Sequence, residues 1–158
     1  LITHEHSDHN NEYLIKTKES TKTIRYKKLH PSEDEYNSTE VGNVKITAVP
    51  AYNRNHTKQF SVGYILEFDG IKLYHPGDTS KIDEMKDLTE LNLTYALYPT
   101  DGEYNMGPEE ATECANIVGA KHNIPIHNMN VTMDQLKEKF TPEGVMILQY
   151  SDTITLEP

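Results

Sequence analysis

Alternating apolar and polar positions in the middle of the chain predict a run of neighbouring strands. Residues 44–49 alternate in this way, and Pro50, which has no backbone N–H to donate, marks the end of that strand. Two further apolar runs, residues 63–68 and 71–74, are separated by Asp69-Gly70. This dipeptide is typical of a tight hairpin turn, so the two runs are predicted to pair as an antiparallel hairpin.

The second half of the chain alternates predicted helices with short predicted strands. Residues 82–91 have helical character, and a second helix is predicted from Pro108, which suits a first turn, to Val118, with Gly119 at its end. Thr132 and Gln135 have the spacing of a capping box, which predicts a helix running to Phe140. Strands are predicted over residues 95–98, 123–126, 145–149 and 153–156.

The first 40 residues give weaker signals. Residues 10–20 favour a short helix, residues 23–29 have strand character, and the polar residues 30–39 indicate a loop. A strand meander followed by helix–strand units predicts one α/β domain over residues 1–158, with helices covering sheet faces.

The most informative motif is His4-Glu5-His6-Ser7-Asp8-His9, which follows the apolar residues Leu1 and Ile2. Imidazole and carboxylate groups are the ligands that zinc and similar divalent ions prefer. A loop leaving a buried strand could turn His4 and His6 toward one point, and Asp8 and His9 toward a second point nearby. Two adjacent metal sites are suited to the hydrolysis of phosphates, esters and amides.

Two metal ions need more ligands than this loop offers, and three later residues stand where such ligands are expected. His56 follows the strand that ends near Pro50, Asp78 follows the hairpin, and His127 directly follows the strand over residues 123–126. Loops at strand ends often hold functional side chains. The sequence therefore predicts that these residues converge on the first loop.

The motifs together resemble the metallo-β-lactamase-fold hydrolases, and in finer detail the branch that contains the ascorbate-6-phosphate lactonase-like proteins. The metal-ligand order of that superfamily is matched by His4-x-His6-x-Asp8-His9, a single His56, Gly77-Asp78-Thr79 and a late His127. The branch is indicated by Val49-Pro50-Ala51-Tyr52-Asn53, Gly63-Tyr64, Tyr74-His75-Pro76-Gly77-Asp78-Thr79, Tyr104-Asn105-Met106-Gly107-Pro108-Glu109 and Ile124-Pro125-Ile126-His127. The resemblance implies a four-layer αββα sandwich. Because the family has strands before its histidine motif, we expect an N-terminal segment that this sequence does not contain.

The resemblance also implies roles for the matching residues. One divalent ion would be held by His4, His6 and His56, and a second by Asp8, His9 and His127, with Asp78 bridging the two. A hydroxide between the ions would act as nucleophile, and Asp8 could pass a proton to the leaving group. The ions are expected to be zinc, with manganese or iron as alternatives, because di-iron relatives have glutamate where this chain has His6.

These roles lead to the hypothesis of a metal-dependent hydrolase that cleaves a small ester, lactone or phosphodiester. Tyr52, Asn53 and Tyr104 are candidate substrate-pocket residues because of the loops they occupy. Two alternatives remain: a nuclease of the same superfamily, and a metal-binding protein without catalysis. His75 could support the site or simply pack, while His30 and His122 are expected to be exposed.

Charge and composition limit the classes of molecule that the chain is expected to bind. The formal net charge of −10 argues against nucleic acid, although two divalent ions would add about +4 locally and would allow a small anionic substrate. Cys114 is the only cysteine and lies on the apolar side of a predicted helix, which fits core packing and a reducing, cytoplasmic location. No apolar stretch is long enough to cross a membrane. The chain could form an oligomer.

Overall fold

One mixed sheet contains all six strands, side by side in the order of the sequence. In the computed structural model, which describes residues 1–158, strands β1 to β4 pair antiparallel, whereas β4–β5 and β5–β6 pair parallel. The strands are β1 Ser38–Val41, β2 Val44–Pro50, β3 Val62–Phe68, β4 Ile71–His75, β5 Tyr95–Pro99 and β6 His122–Ile126. The strands predicted over residues 44–49, 63–68, 71–74, 95–98 and 123–126 are therefore confirmed.

The predicted hairpin joins β3 to β4. Phe68 pairs with Ile71, and the turn residues Asp69 and Gly70 have φ values of 48° and 79°. Positive φ at both central positions is the requirement of a two-residue turn that matches the twist of the strands. Local sequence is sufficient to specify this turn.

The two longest α-helices also end where their capping residues predict. Helix α2, Pro108–Val118, starts with proline in its first turn and ends at Gly119, whose left-handed backbone (φ 69°, ψ 33°) directs its N–H to the Ala115 carbonyl. Helix α3, Met133–Lys139, has the complete capping box between Thr132 and Gln135. None of the helices has both the length and the apolar character needed to cross a membrane.

Residues 82–91 form a helix of a different type from the α-helix that ordinary helical character suggests. Asp83–Leu91 is a 3₁₀ helix, which has three residues per turn. The apolar residues Ile82, Met85, Leu88 and Leu91 recur every third position, so all four align on one face and pack against the core. That spacing of three was the signal for a 3₁₀ helix.

Apolar layers cover both faces of the sheet, which confirms the layered α/β class. One core cluster lies under α2, α3 and the 3₁₀ helix, and its largest members include Tyr74, Tyr98 and Phe140. A second cluster on the other face joins Ile46, Val62 and Tyr64 to the segment before the sheet. Helix α1, Tyr26–Leu29, belongs to this second cluster. The sheet thus rests between two packed layers.

Predictions near the two chain ends were wrong. Residues 10–20 contain only the 3₁₀ turn Glu12–Leu14, and residues 23–29 contain α1 instead of a strand. Residues 145–149 and 153–156 form no strand, apart from one bridge between Val145 and Asn123. In the last segment Ile154 and Leu156 pack on the apolar patch around Tyr95 without joining a ladder. Burial of alternate side chains therefore explains the apolar pattern there without strand pairing.

Two histidines expected at the surface are covered. His30 is fully buried, with its Nδ1 and Nε2 atoms 2.9 and 2.8 Å from the carbonyl oxygens of Glu35 and Lys58. His122 is half-buried and stacks on the Tyr95 ring, with the ring centroids 4.8 Å apart. Both have structural contacts rather than solvent exposure.

Candidate metal centre

The loop with the histidine motif is anchored at its root by backbone hydrogen bonds. Ile2 donates to Ile24 and accepts from Tyr26, both at 2.9 Å, and the Tyr64 hydroxyl also donates to the Ile2 carbonyl. Beyond this root, the backbone N–H groups of His9 and Asn10 both donate to the His6 carbonyl. This tight turn accompanies a loop conformation that brings the side chains of His4, His6, Asp8 and His9 into one cluster.

The other predicted ligands arrive from strand ends, as the sequence indicates. Asp78 follows β4, His127 directly follows β6, and His56 lies in the loop after β2. Because β4, β5 and β6 are parallel, their carboxyl ends meet at one edge of the sheet, where ligand sites commonly form. His127 has a φ of 48°, a left-handed conformation that is uncommon outside glycine and often occurs at functional sites.

A first group of ligand-type atoms comes from three histidines. The rings of His4, His6 and His56 have centroids 4.7 to 4.9 Å apart, and His56 Nε2 lies 3.2 Å from His6 Nδ1. One nitrogen from each ring falls within 4.8 Å of the others. This arrangement is the one predicted for the first ion.

A second group, also as predicted, joins Asp8, His9 and His127. The His9 and His127 rings stack with centroids 5.4 Å apart, and His9 Nε2 lies 3.4 Å from Asp8 Oδ2. Asp78 lies between the groups: its oxygens are 3.3 Å from His9 Nε2, 3.4 Å from His56 Nε2 and 3.7 Å from His127 Nε2. The structure therefore brings all seven predicted ligands together.

The protonation and hydrogen bonding of this cluster fit a bound cation. His4 is buried, its Nδ1 contacts Thr3 Oγ1 at 3.0 Å, and its Nε2 has no hydrogen-bond partner. A buried polar atom without a partner is unfavourable unless a ligand occupies the space beside it. Burial and then the proximity of His9 lower the pKa of His4 to about 4, so its ring is neutral near pH 7, the form that binds metals.

His56 and His75 show the same trend. Burial lowers the pKa of His56 despite the opposing charge of Asp78, and burial also lowers the pKa of His75. The Nδ1 atom of His75 accepts a hydrogen bond from the Gly77 N–H at 3.2 Å. His75 therefore helps to shape the loop that presents Asp78.

Sequence reasoning missed two residues behind the cluster, Asp101 and Asn105. Asp101 Oδ1 accepts three backbone N–H groups, and its Oδ2 accepts the Asn105 side chain at 2.8 Å. Burial opposes ionisation of Asp101, but these hydrogen bonds outweigh it and hold its pKa below the ordinary value. Asp101 Oδ2 also lies 3.0 Å from His127 Nδ1, a close contact without good hydrogen-bond alignment. The available signal was its position just after β5.

A cavity of about 350 Å³ opens onto the cluster. Five of the seven predicted ligands line it, together with Asn55, Tyr104 and Met129. Of the predicted pocket residues, Tyr104 is on the wall, whereas the Tyr52 hydroxyl donates to Glu84 and the Asn53 amide contacts His56. A cavity of this size can receive a small molecule beside the metal ligands.

Comparisons with known proteins agree with this geometry. A family model described as a beta-lactamase superfamily domain matches residues 1–127. A protein of Thermococcus onnurineus named "UPF0173 metal-dependent hydrolase" is 31% identical over 153 residues, covering 80% of this chain and 65% of the relative. The chain thus spans about two thirds, or slightly less, of the length of such relatives.

Solved structures resemble the fold over nearly the whole chain. A protein of Parabacteroides distasonis, named as a candidate metal-dependent hydrolase, has a TM-score of 0.78 at 33% identity, covering 92% of this chain and 73% of that protein. A metallo hydrolase of Ignicoccus hospitalis also has a TM-score of 0.78, at 24% identity, covering 99% of this chain and 78% of its own. The second likeness concerns the fold alone.

Proposed function

The chain belongs to the β-lactamase superfamily, and from this membership we propose that it is a metal-dependent hydrolase that cleaves a small ester, lactone or phosphodiester at a two-metal centre. The name of the Thermococcus onnurineus relative supports a metal-dependent hydrolase. The observation that carries the proposal is the convergence of seven ligand-type side chains in three overlapping groups, one of whose members, His4, has a buried Nε2 atom without a hydrogen-bond partner.

The ligand roles are those that the family resemblance implies, and two of the three overlapping groups of ligand-type atoms have the same membership. His4, His6 and His56 would hold one ion, Asp8, His9 and His127 would hold the other, and Asp78 would contact both. When bound, such a pair of ions supplies Lewis acidity and a water of lowered pKa. A site dominated by imidazole favours zinc, and manganese or iron are the alternatives.

The protein's own residues would orient the substrate and transfer a proton to the leaving group. Asp8 has a side chain 64% exposed on the cavity wall, so its carboxylate could accept the proton released by the attacking water and donate it to the leaving group. Tyr104 and Met129 add apolar surface to the same wall. A lactonase-like substrate is the finer proposal, supported by the position of Tyr104, which belongs to one of the motifs that indicate that branch.

The test combines metal analysis with hydrolysis. The purified protein should contain about two divalent ions per chain and should hydrolyse a generic aryl phosphodiester or a small lactone. Asp78→Ala should lower the rate by more than about 100-fold, because it removes the carboxylate that contacts both groups. Asp87→Ala, which changes an exposed aspartate on the 3₁₀ helix, is the matched control and should retain activity.

Three outcomes separate the hypotheses. Unchanged hydrolysis in Asp78→Ala would contradict the proposed chemistry. Tight metal binding without turnover on a broad substrate panel would favour a metal-binding protein. Salt-sensitive RNA binding with RNA cleavage would favour a nuclease of the same superfamily.

A further inference from the structure

Two side-chain amides, those of Asn53 and Asn105, connect His56 of the first ligand group to Asp78, which lies between the groups. The Asn53 Nδ2 atom donates to the Tyr104 carbonyl at 2.9 Å and to Asn105 Oδ1 at 3.0 Å. These two acceptors define the orientation of the Asn53 amide, so its oxygen must point the other way. That oxygen accepts the backbone N–H groups of Asn55 and His56 at 2.8 and 3.0 Å.

The Asn53 oxygen also determines which nitrogen of His56 holds the proton. His56 Nδ1 lies 2.9 Å from Asn53 Oδ1, and a carbonyl oxygen can only accept a hydrogen bond. The proton of neutral His56 must therefore be on Nδ1. Its Nε2 then presents a lone pair toward His6 Nδ1, 3.2 Å away, and toward Asp78 Oδ2, 3.4 Å away.

Asn105 holds two buried carboxylates through one amide group. Its Nδ2 atom donates to Asp78 Oδ2 at 3.1 Å and to Asp101 Oδ2 at 2.8 Å. Asp78 and Asp101 are each only 4% exposed. Two buried carboxylates that share a site repel each other unless donors lie between them, so the Asn105 amide stabilises both where they stand.

We propose that Asn53 and Asn105 act as a positioning pair, which sets the His56 tautomer and the Asp78 carboxylate before any metal arrives. The inference rests on the proposed function only in assuming that the cluster binds divalent ions. Groups that orient metal ligands in this way typically contribute 10- to 100-fold to metal affinity, as an order of magnitude. Asn53 acts on His56 and Asn105 acts on Asp78, so the hydrogen bond between the two amides couples the positions of these two ligands.

The first experiment measures the tautomer directly in metal-free protein. Long-range ¹H–¹⁵N NMR at neutral pH should show His56 protonated at Nδ1 in the wild type. Asn53→Ala removes the acceptor, so the ring should exchange between both tautomers. Asn53→Asp keeps an acceptor oxygen and should keep the Nδ1 proton. An Nε2-protonated His56 in the wild type, or an unchanged tautomer in Asn53→Ala, would overturn the proposal.

The second experiment measures metal affinity by competition between the protein and a chromophoric chelator for Zn²⁺. We expect Asn53→Ala and Asn105→Ala to bind Zn²⁺ about 10- to 100-fold more weakly than the wild type. Asn130→Ala is the matched control, because it removes a surface amide bonded to Glu103 and touches no predicted ligand. Wild-type affinity in both Asn53→Ala and Asn105→Ala would also overturn the proposal.

The two proposals can fail separately. If Asn53→Ala frees the His56 tautomer and both alanine variants weaken Zn²⁺ binding, but the wild type hydrolyses no substrate, the hydrolase function fails and the positioning pair stands. If Asp78→Ala abolishes hydrolysis but Asn53→Ala leaves both tautomer and affinity unchanged, the positioning pair fails and the hydrolase function stands. Circular dichroism of each variant verifies that the fold is retained.

Discussion

Gly77 lies where three parts of the chain meet, immediately before Asp78. Its φ is +64°, and a Cβ atom built on it would lie 2.6 Å from the Val62 carbonyl oxygen and 3.1 Å from Thr3 Cβ. The first distance is shorter than a non-bonded contact between carbon and oxygen allows, and a backbone oxygen cannot rotate away as a side chain can. Gly77→Ala therefore forces either β3 or the loop before Asp78 to move.

Two effects set the expected size of the change. The left-handed backbone costs alanine roughly 1–2 kcal/mol more than glycine. Inserting a methyl group where no space exists costs about 1–3 kcal/mol more. The free energy of unfolding should therefore fall by about 2–5 kcal/mol in total. Since Val62 N–H also donates to the Thr3 carbonyl at 3.1 Å, the displacement should reach His4 as well as Asp78.

The assay compares urea unfolding of metal-free Gly77→Ala with that of Gly119→Ala. Gly119 has the same left-handed backbone (φ +69°), but nothing lies within 4 Å of a Cβ there. Gly119→Ala should lose only the backbone contribution to stability, about 1–2 kcal/mol, and should bind Zn²⁺ normally. Equal losses of stability in the two variants, or wild-type Zn²⁺ affinity in Gly77→Ala, would refute the reasoning.

Two further predictions concern buried polar groups. Because burial lowers the pKa of His4 from 6.5 to about 4, its contribution to stability is complete above pH 6.5 and is lost as the pH falls toward 4. The free energy of unfolding of the metal-free wild type, measured in urea, should fall by up to about 3 kcal/mol more than that of His4→Gln over that pH range. Parallel pH profiles for the two proteins would contradict this. Tyr64→Phe should cost about 1 kcal/mol because its hydroxyl donates to the Ile2 carbonyl at 2.8 Å. Tyr98→Phe should cost nothing, because the Tyr98 hydroxyl is buried without a partner, and equal unfolding midpoints for these two variants would show that reasoning to be wrong.

Features that depend on neighbouring residues were predictable from the sequence. The Asp69-Gly70 turn, the Thr132 capping box and the Gly119 helix end each need only a few adjacent residues to specify their geometry. Residues 153–156 show the opposite case, because the alternating Ile154 and Leu156 are half-buried there by packing rather than by strand pairing. The local pattern of apolar residues predicts which side chains are buried, but it does not predict which part of the chain covers them.

The same distinction between local and remote contacts separates the site residues that the sequence predicted from those that it did not. The clustering of the seven predicted ligands was predictable from residue type, from the spacing of the four in the first loop, and from the positions of the other three after strands. Asn105 was missed because it meets Asp78 across 27 positions in the sequence. Asp101 was missed because its contact with the site, His127, is also remote, although its hydrogen bonds are local. His30 was misjudged for the same reason, since one of its partners, Lys58, is 28 positions away. Residues that support a ligand can be identified only after the fold has placed the ligand.

The arrangement of charge explains why a cation, rather than protons, suits this cluster. Burial lowers the pKa values of His4 and His56, so protonation is an unfavourable way to satisfy their converging nitrogens. Asp78 lies within 4 Å of three imidazole Nε2 atoms and already has an amide donor from Asn105. Lone pairs and a carboxylate held this close repel one another, and divalent ions are the species that these groups could bind together as ligands. The fold therefore holds these groups close together at some cost in stability, and a bound metal would remove their mutual repulsion.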